Sequence, residues 1–290
     1  MSSERNGGAS DYWELTKPRI NFLIAISTFT GFIAANRANA HTLSVPTLLH
    51  TIGGTLLVAS GTNALNQYIE RRYDSQMART ARRPIPAGRV SARSAFWFAI
   101  ILSILGFVDL YRYASPLAAL IGMLTSLTYL IVYTPLKRIT PLSILVGAIA
   151  GAAPPLIGWS GYTGTLSGEA WLLFSFQMLW QYPHFMAIAW LYRSDYKRAG
   201  YRVLPDGPAA SRVITIQTLL PCAVLVAASF IVPPREFEPT LYRLAASGLA
   251  IGLVYFVLTF VNLMCAKNAR KLLLASVMYL PLLFLLRIAI

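Results

Sequence analysis

The chain has 290 residues, 56% hydrophobic and only 12% charged, with a formal net charge of +14 and a mean hydropathy of +0.56. A soluble domain of this size usually carries about twice that charged fraction, and the apolar runs reach the ~20 residues a membrane helix needs, so a large soluble fold is excluded. The cations lie in short gaps between apolar runs, which fits topology control rather than nucleic-acid binding. Two cysteines, Cys222 and Cys265, exclude a disulfide scaffold and offer no metal spacing.

The first 19 residues are polar, include Glu4, Asp11 and Glu14, and form no signal peptide. The acids also argue against an organelle transit peptide, which favours a bacterial plasma membrane. Residues 1–19 are read as a cytoplasmic segment and 20–290 as one membrane domain. Nine transmembrane helices are expected, near residues 20–37, 46–68, 94–110, 115–133, 140–160, 169–192, 212–232, 241–263 and 272–289. Polar, Pro and Gly clusters separate them, as at Pro233-Pro234-Arg235-Glu236.

The cation distribution sets the orientation. With the N-terminus cytoplasmic, the inside holds Arg5, Lys17, Arg19, the seven arginines from Arg71 to Arg93, Lys137, Arg138, the five cations from Arg193 to Arg212, Lys267, Arg270 and Lys271. The outside keeps Arg37, Arg112, Arg235, Arg243 and Arg287. This 20-to-5 division supports an odd number of spans and a cytoplasmic N-terminus.

The second apolar run ends in Asn66-Gln67-Tyr68-Ile69-Glu70-Arg71-Arg72-Tyr73-Asp74. Asn66, Glu70 and Asp74 fall at i, i+4 and i+8, on one helix face. Carboxylates at a membrane boundary need cationic partners, and hard oxygen ligands at this spacing suit Mg²⁺ holding a substrate phosphate. Arg79 and Arg83 follow and supply cations for phosphate oxygens. Pairing of Glu70 or Asp74 with Arg71 or Arg72 is the simpler alternative, but side chains one or two apart point away from each other.

In the sixth run, Gln177, Gln181, His184, Ile188, Leu191 and Asp195 follow helical spacing, so three polar groups line up with an aspartate at the mouth. Such a stripe faces a cavity or neighbouring helices rather than lipid. The glutamines are equally readable as bonds between helices, His184 as a satisfied interior histidine, Pro183 as a bend, and Asp195 as an interfacial acid paired with Arg198. Lys137 and Arg138 follow the fourth run on the same side as both acidic stretches, and bind anionic groups or simply obey the charge rule.

Four ordered stretches resemble the UbiA-type intramembrane prenyltransferases, and within them the subgroup whose acceptor is haem. They are Asn66-Gln67-Tyr68-Ile69-Glu70 through Asp74 to Arg83-Pro84; Tyr133-Thr134 with Leu136-Lys137-Arg138 and Thr140-Pro141; Gly151 through Pro154-Pro155 to Gly158-Trp159; and Trp180-Gln181 with Pro183-His184-Phe185, Asp195-Tyr196 and Ala199-Gly200. The resemblance implies nine membrane helices around a central cavity, with the acidic motifs at its cytoplasmic mouth. It implies farnesyl transfer from farnesyl diphosphate to a vinyl group of haem B, giving haem O, with Mg²⁺ required. On this reading Asn66, Glu70, Asp74 and Asp195 are the metal-holding and catalytic residues, and Arg79, Arg83, Lys197 and Arg198 face the diphosphate. Lys137 and Arg138 are candidates for the haem propionates and His184 for the haem iron. The product would pass to a haem-modifying enzyme or an oxidase assembly. The chain departs from the wider superfamily at Gln67 and Glu70, where Asp is frequent, and at Ala199, four residues after Asp195, where a second Asp is frequent. Two other readings remain: prenylation of a quinone precursor or other aromatic acceptor, and an ion-coupled transporter using Asp195, His184 and the glutamines.

Overall fold

The computed structural model describes residues 7–39, 42–232 and 239–289. Glu4, Arg5 and the punctuating Pro233-Pro234-Arg235-Glu236 lie outside the described residues. All regular structure among the described residues is helical. The long helical segments are labelled α1 (Pro18–Asn39), α2 (Val45–Asp74), α3 (Ala92–Ala114), α4 (Pro116–Leu136), α5 (Ser143–Thr163), α6 (Gly168–Leu191), α7 (Ala210–Ile231), α8 (Pro239–Asn262) and α9 (Ala266–Ala289). Among the described residues, seven helices are long and apolar enough to cross a membrane. The two long helices outside that set, α2 and α6, are those that carry the polar stripes anticipated from sequence.

Helix starts follow local chemistry. Ser44, Ser91, Ser115 and Ser167 each accept a backbone N–H from the first turn of α2, α3, α4 and α6, satisfying donors with no partner inside the helix. The π turns Leu110–Ala114 and Thr128–Tyr133 end α3 and widen α4. In α5 the ladder breaks at Ala152–Ala153, because Pro154 and Pro155 lack N–H donors. Gln177 Nε2 donates at 2.8 Å to Gly151 O, the carbonyl that Pro155 leaves without a helical donor, while Gln181 Nε2 adds a second donor at 2.9 Å to Ala148 O, which already accepts from the Ala152 N–H. Pro183 sits within α6 without interrupting it.

The bundle closes because α9 packs on α1, α6 and α8, while α5 packs on α1 and α4. The largest core cluster gathers Phe176, Trp180, Phe260, Tyr279 and Phe284 from α6, α8 and α9. A second joins Leu15, ahead of α1, to Ala64, Ile85, Val90, Ala95 and Ala99. Outward-facing Ile101, Ile104, Leu244, Ile251 and Leu274 are exposed, as expected for side chains that meet lipid. The α1–α5 crossing is the tightest: a Cβ at Gly31 would overlap the Pro155 carbonyl, and one at Gly158 the Thr28 carbonyl.

At the end opposite the acidic stretch, Arg287 is buried in α9. It pairs with Glu169 at 3.6 Å, donates to Val232 O at 2.7 Å and contacts Tyr242 OH at 3.4 Å. This joins the ends of four helices. Leaving the guanidinium with partners in a low-dielectric setting avoids the penalty of a stranded charge.

Candidate active site

Helix α2 runs unbroken to Asp74, so Asn66, Glu70 and Asp74 share one face, as the spacing requires. All three are buried. Their partners come from elsewhere in the chain, not from Arg71 or Arg72. Lys137 Nζ lies 2.5 Å from Glu70 Oε1, and Tyr201 OH donates to the same oxygen at 2.9 Å. Arg83 donates to Asp74 Oδ2 at 2.7 Å. Asn66 Nδ2 donates to Thr134 Oγ1 at 3.1 Å, and Lys17 Nζ reaches Asn66 Oδ1 at 3.3 Å. Arg71 instead donates to Tyr68 O at 2.6 Å within its own helix.

The loop after α2 folds back over this face. Thr80 Oγ1 donates to Asp74 O at 2.9 Å, and the Arg79 N–H donates to Asp195 Oδ2 at 3.2 Å. Arg89 ties the far side of the loop to Asp11 and to Glu14, the latter at 2.6 Å. Arg79 carries its guanidinium 4.8 Å above the Tyr192 ring.

Lys17 is the residue that sequence reasoning treated only as a topology charge. Its φ of 54° lies in the left-handed region, unusual for a side-chain-bearing residue, and it aims the ammonium at Asn66. Burial, then the nearby Arg83 cation, pull its pKa down to about 7. Burial pulls the Lys137 ammonium down too, but the Glu70 carboxylate outweighs it and holds the group above the usual lysine value. Burial and then Glu70 raise the Tyr201 phenol, so it remains a hydrogen-bond donor at neutral pH. The sequence signal for Lys17 was its place, directly before Pro18 at the head of the first apolar run.

Lys17, Asn66, Glu70, Asp74, Arg79, Arg83, Lys137 and Tyr201 line a polar pocket of about 200 Å³. Beside it lies an apolar cavity of about 360 Å³ lined by residues of α1, α2, α4, α5, α6 and α9. Ile20, Tyr129, Tyr133, Phe185 and Ile188 line both. Their rings and aliphatic chains form the rim between a charged chamber and a greasy one.

The remaining sequence candidates sit elsewhere. His184 lines the apolar cavity. Asp195 is buried but does not line the polar pocket; its carboxylate accepts from the Arg79 N–H and pairs with Arg198 at 3.5 Å. The helical projection that put it in line with Gln177 and His184 fails because α6 ends at Leu191. Tyr192 leaves the helical region, at φ −108° and ψ 20°, and a separate short helix Arg193–Arg198 begins. Lys197, Arg198 and Arg138 also stand outside the pocket lining. Arg138 lies 4.4 Å over the Tyr73 ring.

For a divalent ion, the donor set is hard oxygen. Among the described residues no three His, Cys, Asp or Glu side chains gather closely enough to hold a metal unaided. Glu70 Oε2 and Asp74 Oδ1, however, have no hydrogen-bond partner among the described residues, and Asn66 Oδ1 lies on the same helix face, where it accepts from Lys17. Two carboxylate oxygens and one amide oxygen fit Mg²⁺ that completes its shell with water and phosphate oxygens.

An all-helical bundle with a cation-rich pocket opening onto an apolar chamber is built for an amphiphile with an anionic head. The chain matches the UbiA prenyltransferase family over residues 24–283. It belongs to that family. It is 42% identical over 280 residues to a protoheme IX farnesyltransferase of Solibacter usitatus, covering 94% of this chain and 96% of that relative. Among solved structures, it is similar to one of digeranylgeranylglyceryl phosphate synthase, with a TM-score of 0.73 at 17% identity, over 96% of each chain. It is also similar to a UbiA homologue from Archaeoglobus fulgidus bound to DMAPP and Mg²⁺, with a TM-score of 0.65 at 13% identity, over 97% of this chain and 100% of that one.

Proposed function

We propose that the protein transfers a farnesyl group from farnesyl diphosphate to a vinyl group of haem B, giving haem O. The observation that carries the prenyl-transfer reading is the shared rim: the polar pocket and the apolar cavity meet at Tyr129, Tyr133, Phe185, Ile20 and Ile188. A diphosphate on one side and an isoprenoid tail on the other place the bond to be broken at that rim. The name of the relative from Solibacter usitatus supports haem as the acceptor. The positive-inside count supports nine spans around the cavity, a cytoplasmic N-terminus and a cytoplasmic mouth in a bacterial plasma membrane.

Asn66, Glu70 and Asp74 are the residues that would hold Mg²⁺. The ion supplies charge neutralisation to the departing diphosphate. Arg79, Arg83, Lys17 and Lys137 bind the diphosphate oxygens and stabilise the negative charge that builds as the C1–O bond breaks. Asp195 holds the Arg79 backbone, and so acts on the diphosphate through that loop. Lys197, Arg198 and Arg138 draw the anion to the mouth, where they are solvent-facing. The Tyr129 and Tyr133 rings at the rim stabilise the allylic cation through their faces, and the apolar walls keep water from it. The terminal vinyl carbon of haem bonds to C1, water adds to the adjacent carbon, and that water's proton leaves to solvent. An ion-transport reading asks for charges spread through the membrane depth, whereas these gather at one end.

The test is incubation of detergent-solubilised protein with farnesyl diphosphate, haem B and Mg²⁺, with mass analysis of the porphyrin. A hydroxyfarnesyl-ethyl porphyrin is expected, and none when Mg²⁺ is chelated. Prenylation of a quinone precursor in a parallel incubation, with haem left unmodified, would replace haem as acceptor. Lys17→Met tests the added cation: loss of one charge-assisted bond, worth roughly 1.5–3 kcal/mol, is expected to weaken farnesyl diphosphate binding roughly ten- to a hundredfold. Unchanged binding by calorimetry would remove Lys17 from the site.

A further inference from the structure

We propose that His184 presents an unprotonated Nε2 to the apolar cavity as an axial ligand for the acceptor's haem iron, and that Ser276 is the positioning residue that fixes this tautomer. The inference deepens the haem-acceptor reading and rests on it.

The argument is one of proton accounting. Ser276 is fully buried in α9, and its hydroxyl donates to Leu273 O at 2.8 Å. A serine hydroxyl has one hydrogen. His184 Nδ1 lies 2.9 Å from the same Oγ, and with the hydroxyl hydrogen on Leu273 O the geometry assigns Oγ as the acceptor and the ring proton to Nδ1. That assignment leaves the imidazole lone pair on Nε2. No hydrogen bond to Nε2 occurs among the described residues, and His184 lines the apolar cavity. The ring plane is fixed as well. Trp180 stacks on it, with centroids 4.8 Å apart and planes at 22°, and Trp180 Nε1 donates to Ser276 O at 2.6 Å. One serine thus holds the histidine by its side chain and the stacking tryptophan by its carbonyl.

A second polar atom points to a ligand in the same chamber. Gln177 lines it, is buried, and keeps its Oε1 without a partner. A metal-binding imidazole typically gives its other N–H to an acceptor that orients it, and the Ser276 contact has that form. Ligation needs no proton release, because Nε2 brings a free lone pair to the iron. It also gives the porphyrin an anchor inside the chamber, leaving its edge free to turn toward the rim.

The experiment titrates ferric haem B, and separately metal-free protoporphyrin IX, into detergent-solubilised full-length protein. Absorption and electron paramagnetic resonance spectra are recorded alongside the mass of the reaction product. The wild type is expected to show a histidine-ligated haem spectrum and to prefer haem over the metal-free porphyrin. In His184→Ala that spectrum and that preference disappear, and added imidazole restores the spectrum. Ser276→Ala is expected to weaken haem binding on the order of tenfold, as for other residues behind a metal ligand, while Ser276→Thr restores it. The haem-to-porphyrin preference is a ratio, so a general loss of folded protein does not move it. A His184→Ala spectrum and preference equal to wild type, with farnesylated haem still formed by the wild type, overturn the ligand assignment and leave the reaction standing. Absence of any farnesylated haem from the wild type overturns the acceptor reading itself.

Discussion

Replacing Asp74 by asparagine is expected to lower haem farnesylation roughly a hundred- to a thousandfold, the range for removing one group that stabilises transition-state charge. The substitution keeps size and helix position. It removes the negative charge that pairs with Arg83 at 2.7 Å, and puts a neutral amide where a carboxylate lines the pocket. The expected signature is a fall in kcat at saturating Mg²⁺, with membrane level retained. Asp195→Asn provides the contrast. Its carboxylate reaches the pocket only through the Arg79 N–H, so its effect is expected mainly in KM for farnesyl diphosphate. Turnover within a few-fold of wild type in Asp74→Asn would remove this carboxylate from the metal-holding set; equal kcat losses in both variants would return Asp195 to that set.

The second large effect concerns the frame rather than the chemistry. A side chain at Gly158 runs into the Thr28 carbonyl and the Phe32 N–H of α1, and backbone cannot yield as a flexible side chain does. Gly158→Leu is expected to destabilise the bundle by at least about 3 kcal/mol, the upper part of the overpacking range. Helix α1 also carries Ile20 and follows directly on Lys17, so moving it off α5 opens both the rim and the pocket. Fluorescence-detected size exclusion after heating reads the loss. Gly168→Ala is the control, since nothing lies within 4 Å of a Cβ there, and a change below about 0.5 kcal/mol is expected. Equal thermal midpoints for Gly158→Leu and wild type would mean that the crossing relaxes.

Helix positions were legible because apolar runs of membrane length have few other solutions. The acid face of α2 was legible for a related reason: a helical period fixes which side chains share a face, whatever they touch. What they touch was not legible. Lys137 lies 67 positions from Glu70 by the chain numbering, and only the packing of α4 beside α2 makes them partners. The same periodicity misplaced Asp195, because no local signal announced that the helix would stop at Leu191. Lys17 escaped notice since a single cation before a span is what membrane topology alone would put there. The glutamines of α6 show that one stripe can serve two ends: both amides donate to α5 carbonyls, Gln177 to the one the break leaves open, while the cavity lies on the same side.

The resting charges of the polar pocket satisfy one another: Glu70 has Lys137, and Asp74 has Arg83. Loading the site is accordingly a partner exchange. An incoming anion that claims the lysine and arginine strands two carboxylates, and an incoming cation that claims the carboxylates strands the bases. Each guest makes room for the other, so their affinities rise together, and by linkage the enhancement is the same in either direction.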